Sequence, residues 1–125
     1  MGLLIQPNRK AVLVVEDEPL LRMMAMAMVE DAGFNAIEAC GADEAVEILE
    51  HRSDVDVLFT DVDMPGSMNG VALANWARAT DMPLGIVLTS GHHRPDDDAL
   101  PPRSVFFSKP YDFQKVVDTL KRMTV

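Results

Sequence analysis

Apolar residues along this chain fall into two alternating patterns. Short runs that are mostly apolar are separated by stretches in which apolar residues return every three or four positions. The first run, Ala11 to Glu16 (AVLVVE), is Val-rich and ends in an acid, which predicts a strand buried on both faces. Pro19 then sits near a first helical position, where proline is tolerated. Leu21, Met24, Ala25, Met28, Val29 and Ala32 form one helical stripe, expected to face the core, and Gly33 supplies the C-terminal stop. Further strands are predicted at Asn35 to Cys40 (NAIEAC), Asp54 to Asp61 (DVDVLFTD), Leu84 to Ser90 (LGIVLTS) and Ser104 to Lys109 (SVFFSK). Cys40 reads as a small apolar strand end. Helical stripes lie at Ala45, Val46, Ile48 and Leu49, at Val71, Leu73, Ala74 and Ala77, and at Phe113, Val116, Val117 and Leu120. Gly91 to Arg103 (GHHRPDDDALPPR) breaks the rhythm. Its prolines and consecutive aspartates leave no stripe, so it is expected to be irregular or mobile, with at most a turn or two of helix.

Strand and helix thus alternate five times, with the fourth helix short or missing. This order implies an α/β fold, a doubly wound five-stranded parallel sheet with helices on both faces. Five strands suit the flavodoxin-like order 2-1-3-4-5, whose ligand site lies beyond the carboxyl ends of the strands, where the order reverses. Residues 11–125 account for one domain and residues 1–10 for an N-terminal extension.

Charge and cysteine content narrow the function. Lys and Arg number 11 against 20 Asp and Glu, a net charge of −9. Neither direct nucleic-acid binding nor attraction to an anionic membrane is expected of such a chain. No run of 18 apolar residues is present, and the N-terminus reads neither as a signal peptide nor as a myristoylation site. One cysteine excludes an intramolecular disulfide and a cysteine-based zinc cluster, and a reducing, cytoplasmic setting is expected. His92-His93 reads as polar loop, because a third ligand is missing from the pattern.

The strand ends carry the candidate chemistry. The first strand ends in Glu16-Asp17, the third in Asp61, the fourth in Thr89-Ser90 and the fifth in Lys109-Pro110. In a parallel sheet these groups share one edge, and the first and third strands are neighbours. Carboxylates at about 5 Å repel by roughly 3 kcal/mol per pair at an effective dielectric of 20. A raised pKa or a hard cation relieves this, and carboxylates with open water positions suit Mg²⁺. Lys109 adds a point charge and Ser90 a hydroxyl donor. A nucleophile, a metal site and donors together match phosphoryl transfer.

VVEDE, FTDVDMPGSMNG, LTSG and FFSKP stand in that order, each at a strand end. With them the chain, from about Ala11 to Met123, resembles the receiver domains of two-component response regulators. The resemblance implies a stand-alone signalling domain that takes a phosphoryl group from a histidine kinase or histidine phosphotransfer protein onto Asp61. It implies no enzyme beyond its own aspartyl phosphorylation and dephosphorylation. Asp17 would bind Mg²⁺ directly, Glu16 through water, and the Asp63 carbonyl would be a further ligand beside Asp61. Lys109 would pair with Asp61 and then with the phosphoryl group. Ser90 would hydrogen-bond a phosphoryl oxygen, with small Gly91 leaving the approach open. Phe106 falls at the position of an aromatic rotamer switch, partnered with Ser90. Asp63 and His92 would tune self-dephosphorylation, and the downstream target is left unknown.

Two departures from the family pattern stand out. GSMNG carries one extra residue between Pro65 and Gly70, so the loop after Asp61 is expected to bulge. The degraded fourth helix puts the family's usual output surface in question. A haloacid dehalogenase-like phosphatase is the competing reading, with Asp61 as nucleophile and Asp63 as general acid/base. Such an enzyme needs acids at a strand end after the lysine, where this chain has only Asp112 and Asp118. On the first helix a second apolar row, Leu20, Met23 and Ala27, is expected to face away from the core and dock the histidine-bearing partner.

Overall fold

The computed structural model describes residues 6, 8–92 and 94–125. The alternation read from the sequence appears as β1 (Ala11–Val15), α1 (Pro19–Asp31), β2 (Asn35–Ala39), α2 (Ala42–His51), β3 (Val55–Asp61), α3 (Gly70–Ala79), β4 (Gly85–Ser90), β5 (Ser104–Ser108) and α4 (Phe113–Met123). All neighbouring strands pair parallel, in the order β2-β1-β3-β4-β5. The order reverses between β1 and β3, the switch point of a doubly wound sheet.

Strand periodicity sorts the core into two layers. Val12 and Val14 of β1 meet Val57 and Phe59 of β3, under Ala25, Met28 and Val29 of α1 and Val116 and Leu120 of α4. Leu13 and Val15 face the other way with Leu58, Ile86 and Leu88, under Ala42, Ala45 and Leu49 of α2 and Leu73, Ala74 and Ala77 of α3. β1 is buried along its whole length, which is why its sequence does not alternate.

Helix ends follow local chemistry. Glu18 caps α1 by accepting from the amides of Leu20 and Leu21, with Pro19 next in line. Glu16 Oε2 accepts from the amide of this cap residue at 3.2 Å. Gly33 ends the helix at φ 99°, a left-handed conformation that favours glycine.

Two expectations need correction. Leu21 and Met24, assigned to the core stripe of α1, are 39% and 45% exposed. Both line an open groove with Tyr111 and Phe113, ahead of Ala25, the first buried residue of α1. Cys40 is exposed rather than an apolar strand end, with its amide and thiol facing Glu44 Oε1 at 2.7 and 3.2 Å. A Cβ at Gly91 would meet the Lys109 side chain at an ordinary 3.8 Å.

Between β4 and β5 the regular structure is a single 3-10 turn, Asp97–Ala99, as the prolines of this stretch require. Its far end is fastened to α3. Asn75 donates to the Ala99 carbonyl at 2.8 Å, and Arg78 donates to the carbonyls of Pro102, Met82 and Leu84 at 3.1, 3.1 and 2.9 Å. The loop after β3 reaches sideways to α2, where Ser67 Oγ donates to Asp43 at 2.6 Å. His93 and much of the N-terminal extension lie outside the described residues.

Candidate functional site

Each strand end delivers its polar residue to the same edge. The main chain ties these ends together: Glu16 N–H donates to Ala39, Val62 N–H to Thr89 and Lys109 N–H to Ser90, at 3.1, 2.7 and 2.8 Å. Glu16, Asp17 and Asp61 gather so that one oxygen from each lies within 4.8 Å of the others. Glu16 and Asp61 are buried and Asp17 is half-buried.

Lys109 is the cation of the site. Its Nζ stands 3.0 Å from Glu16 Oε1 and 3.1 Å from Asp61 Oδ1. The first contact is a hydrogen bond. The second is an ion pair off the hydrogen-bond direction, so buried Asp61 Oδ1 has no donor among the described residues. Burial pushes the carboxyls of Glu16 and Asp61 above their ordinary range, and Lys109 only partly offsets it. Burial pulls the Lys109 ammonium down, but Glu16 and Asp61 outweigh it and the net shift is upward.

The set therefore holds three carboxylates against one ammonium, and buried Asp61 Oδ1 has the Lys109 ion pair but no hydrogen bond among the described residues. Hard oxygen donors of this kind fit Mg²⁺. Asp63 does not join the cluster with its side chain. Its Oδ2 accepts from Ser90 Oγ at 2.6 Å, and Ser90 Oγ in turn accepts from the His92 amide at 3.3 Å. The His92 ring side is exposed. Phe106 is half-buried against the α2–α3 core layer, with the Arg94 guanidinium 5.1 Å above its ring.

Leu20, Met23 and Ala27 are exposed on α1 as expected, Met23 to 63%. Beside them is a groove of about 410 Å³, lined by Leu21, Met24, Tyr111, Phe113, Lys109 and Glu16 among others. Its apolar wall thus runs directly into the charged site. A cavity of about 490 Å³ lies at the opposite edge, around His51, Arg52 and Asp81, away from these groups.

Three contributors carried no signal strong enough to single out. Arg22, one turn into α1, donates to the Glu16 carbonyl at 3.0 Å and holds the acidic pair in place. Tyr111 packs edge-on to Phe59 and beside Phe113, joining the groove to the core. Gly70 starts α3 so close to β3 that a Cβ would overlap the Asp61 carbonyl. The motif FTDVDMPGSMNG includes this glycine, nine positions after Asp61, but the pattern alone does not reveal the close approach.

The phosphatase reading is not favoured. Asp112 caps α4 and Asp118 accepts from Gln114 on that helix, so neither lies at a strand end with the cluster. No helix among the described residues is long and apolar enough to cross a membrane.

Comparison with known proteins agrees with this geometry. The chain is 33% identical over 119 residues to the sensor kinase CckA of Brucella abortus, covering 90% of this chain and 12% of that kinase. It is 29% identical over 120 residues to the response regulator receiver protein CpdR of the same organism, covering 93% and 98%. The crystal structure of the receiver domain of the hybrid histidine kinase CckA superposes with a TM-score of 0.77 at 28% identity, over 92% of this chain and 99% of that one. A receiver protein from Sinorhizobium medicae shares the fold with a TM-score of 0.87 at 24% identity, over 94% and 96%. The pattern of the response regulator receiver domain matches residues 12–121, and the chain belongs to that family of two-component signalling domains.

Proposed function

We propose that Asp61 accepts a phosphoryl group from the phosphohistidine of a histidine kinase or histidine phosphotransfer protein, with Mg²⁺ as cofactor, and that residues 11–125 form the receiver domain behind an extension, residues 1–10. One observation carries the proposal. The Asp61 carboxylate is buried at the switch point, grouped with two further acids, and its Oδ1 has only the ion pair with Lys109 and no hydrogen bond among the described residues. Asp17 and Asp61 would hold the ion with the Asp63 carbonyl, and Glu16 through water. When bound, the ion supplies positive charge to the phosphoryl oxygens.

An Asp61 oxygen attacks phosphorus. A P–O bond forms as the P–N bond to the donor imidazole breaks, and its electron pair leaves with the ring nitrogen. Lys109, held between Glu16 and Asp61, moves its charge onto the arriving group. Ser90 donates its hydroxyl to a phosphoryl oxygen, and Phe106 repacks beside it. Asp63 and His92 flank the phosphoryl group and set its lifetime through attacking water. Leu20, Met23 and Ala27, widened by Leu21 and Met24, dock the partner helix. A histidine kinase as donor is supported by the likeness to the CckA receiver domain. The lone thiol of Cys40 accords with a cytoplasmic setting.

The test is incubation with acetyl phosphate and Mg²⁺ followed by intact-mass analysis. A gain of one phosphoryl group that disappears in Asp61→Asn supports the assignment, and a gain that survives in Asp61→Asn overturns it.

A further inference from the structure

We propose that the Asp63 carboxylate is a resting-state latch on Ser90, and so a positioning residue for phosphoryl transfer to Asp61. Ser90 is buried at the end of β4, and its Oγ donates to Asp63 Oδ2 across 2.6 Å. A hydroxyl has one proton to give, and here an ionised acceptor takes it. Bonds of this type are shorter and about twice as strong as neutral ones. The His92 amide occupies an acceptor direction of the same Oγ at 3.3 Å, so Ser90 is held from both sides.

This rests on the reading of Asp61 as acceptor. For Ser90 to donate to a phosphoryl oxygen on Asp61, its hydroxyl hydrogen must leave Asp63. No proton changes owner; one hydrogen bond is exchanged for another. Asp63 is only half-buried, so its released carboxylate can turn to water. The phosphoryl group must therefore compete with Asp63 for Ser90, and Asp63 sets how readily the phosphorylated arrangement forms.

A double-mutant cycle with beryllofluoride and Mg²⁺, a non-reacting phosphoryl mimic, tests this. Removing the Asp63 charge alone favours any anion, so the latch is read as the coupling to Ser90. Asp63→Ala tightens beryllofluoride binding about tenfold in the parent protein, and about twofold in Ser90→Ala, a coupling of about fivefold, the net scale of one hydrogen bond. Affinity for Mg²⁺ alone is measured in each variant. Asp63→Asn, which keeps the shape and loses the charge, gives an intermediate gain and guards against a folding defect. A second readout needs no metal. In Mg²⁺-free protein, Asp63→Ala shifts the Ser90 and His92 amide resonances, and does so only while Ser90 is present. Equal gains in both backgrounds, or no gain in either, overturn the latch. Binding that persists in Asp61→Asn instead overturns the acceptor reading, and leaves the metal-free resonance test standing.

Discussion

Asp61 is a buried acid whose folded-state pKa lies above its ordinary value, because burial disfavours the carboxylate. The folded protein therefore binds a proton more tightly than the unfolded chain there. Stability contributed by this group falls as pH rises from about 4 through the folded pKa, and stays low above it. Asp61→Asn removes that cost while Lys109 keeps Glu16 as a partner. Without Mg²⁺ at pH 7, the variant should melt higher than the parent by roughly 4 °C, the scale of about 1 kcal/mol. The gain should shrink below about pH 4, where both states of the parent are protonated. A scanning calorimeter reads this directly, and a lower melting temperature at pH 7 would speak against a strained, metal-free acid cluster. Gly70 makes a second prediction at this scale. Gly70→Ala forces β3 and α3 apart at the Asp61 carbonyl, so labelling by acetyl phosphate should drop by an order of magnitude or more while the far-ultraviolet spectrum is kept. Labelling at the parental rate would show that the close approach is dispensable.

Among the elements, the missing helix between β4 and β5 is the chief departure from a regular alternation. Its prolines were readable, because they exclude a helix on local grounds. What holds the segment was not. Arg78 is one cation on the solvent-facing half of a helix stripe, and its carbonyl partners come from two separate loops. Arg78→Ala should leave the sheet intact and speed amide exchange from Asp97 to Arg103 by about tenfold, loss of one anchor being worth about 1–2 kcal/mol. Unchanged exchange would mean the loop is held by its own turns. α1 gives a similar lesson. A period of 3.6 shows which residues share a face, but not where the sheet beneath them ends. Leu21 and Met24 keep the right face and still lie in the open, along the groove beside Tyr111 and Phe113.

At the scale of the molecule, the fold and the acidic edge were legible for one physical reason. A strand buried on both faces must be almost wholly apolar, so a polar group at its end stands out. Glu16, Asp61 and Ser90 were visible in that way, Lys109 follows the half-exposed edge strand β5 and stood out by its place before Pro110, and the parallel topology brings all four to one edge. The Ser90–Asp63 bond was not, since the two lie 27 positions apart and meet only through loop geometry. The same edge continues into a groove lined by Leu21 and Met24 of α1, and the proposed docking row lies on that helix. Met23→Glu should slow transfer from a phosphorylated histidine phosphotransfer protein about tenfold and leave acetyl phosphate labelling nearly unchanged, since the small donor needs no docking surface. Equal loss with both donors would point to a damaged site.

The central claim is that one carboxylate, at the switch point of this sheet, takes the phosphoryl group. Intact-mass spectrometry after acetyl phosphate and Mg²⁺ addresses it most directly, with parent and Asp61→Asn run side by side. The parent should gain one phosphoryl mass, lost when Mg²⁺ is chelated beforehand, and Asp61→Asn should gain none. An equal gain in Asp61→Asn, or a parent that gains nothing while Mg²⁺ binds, would contradict the account.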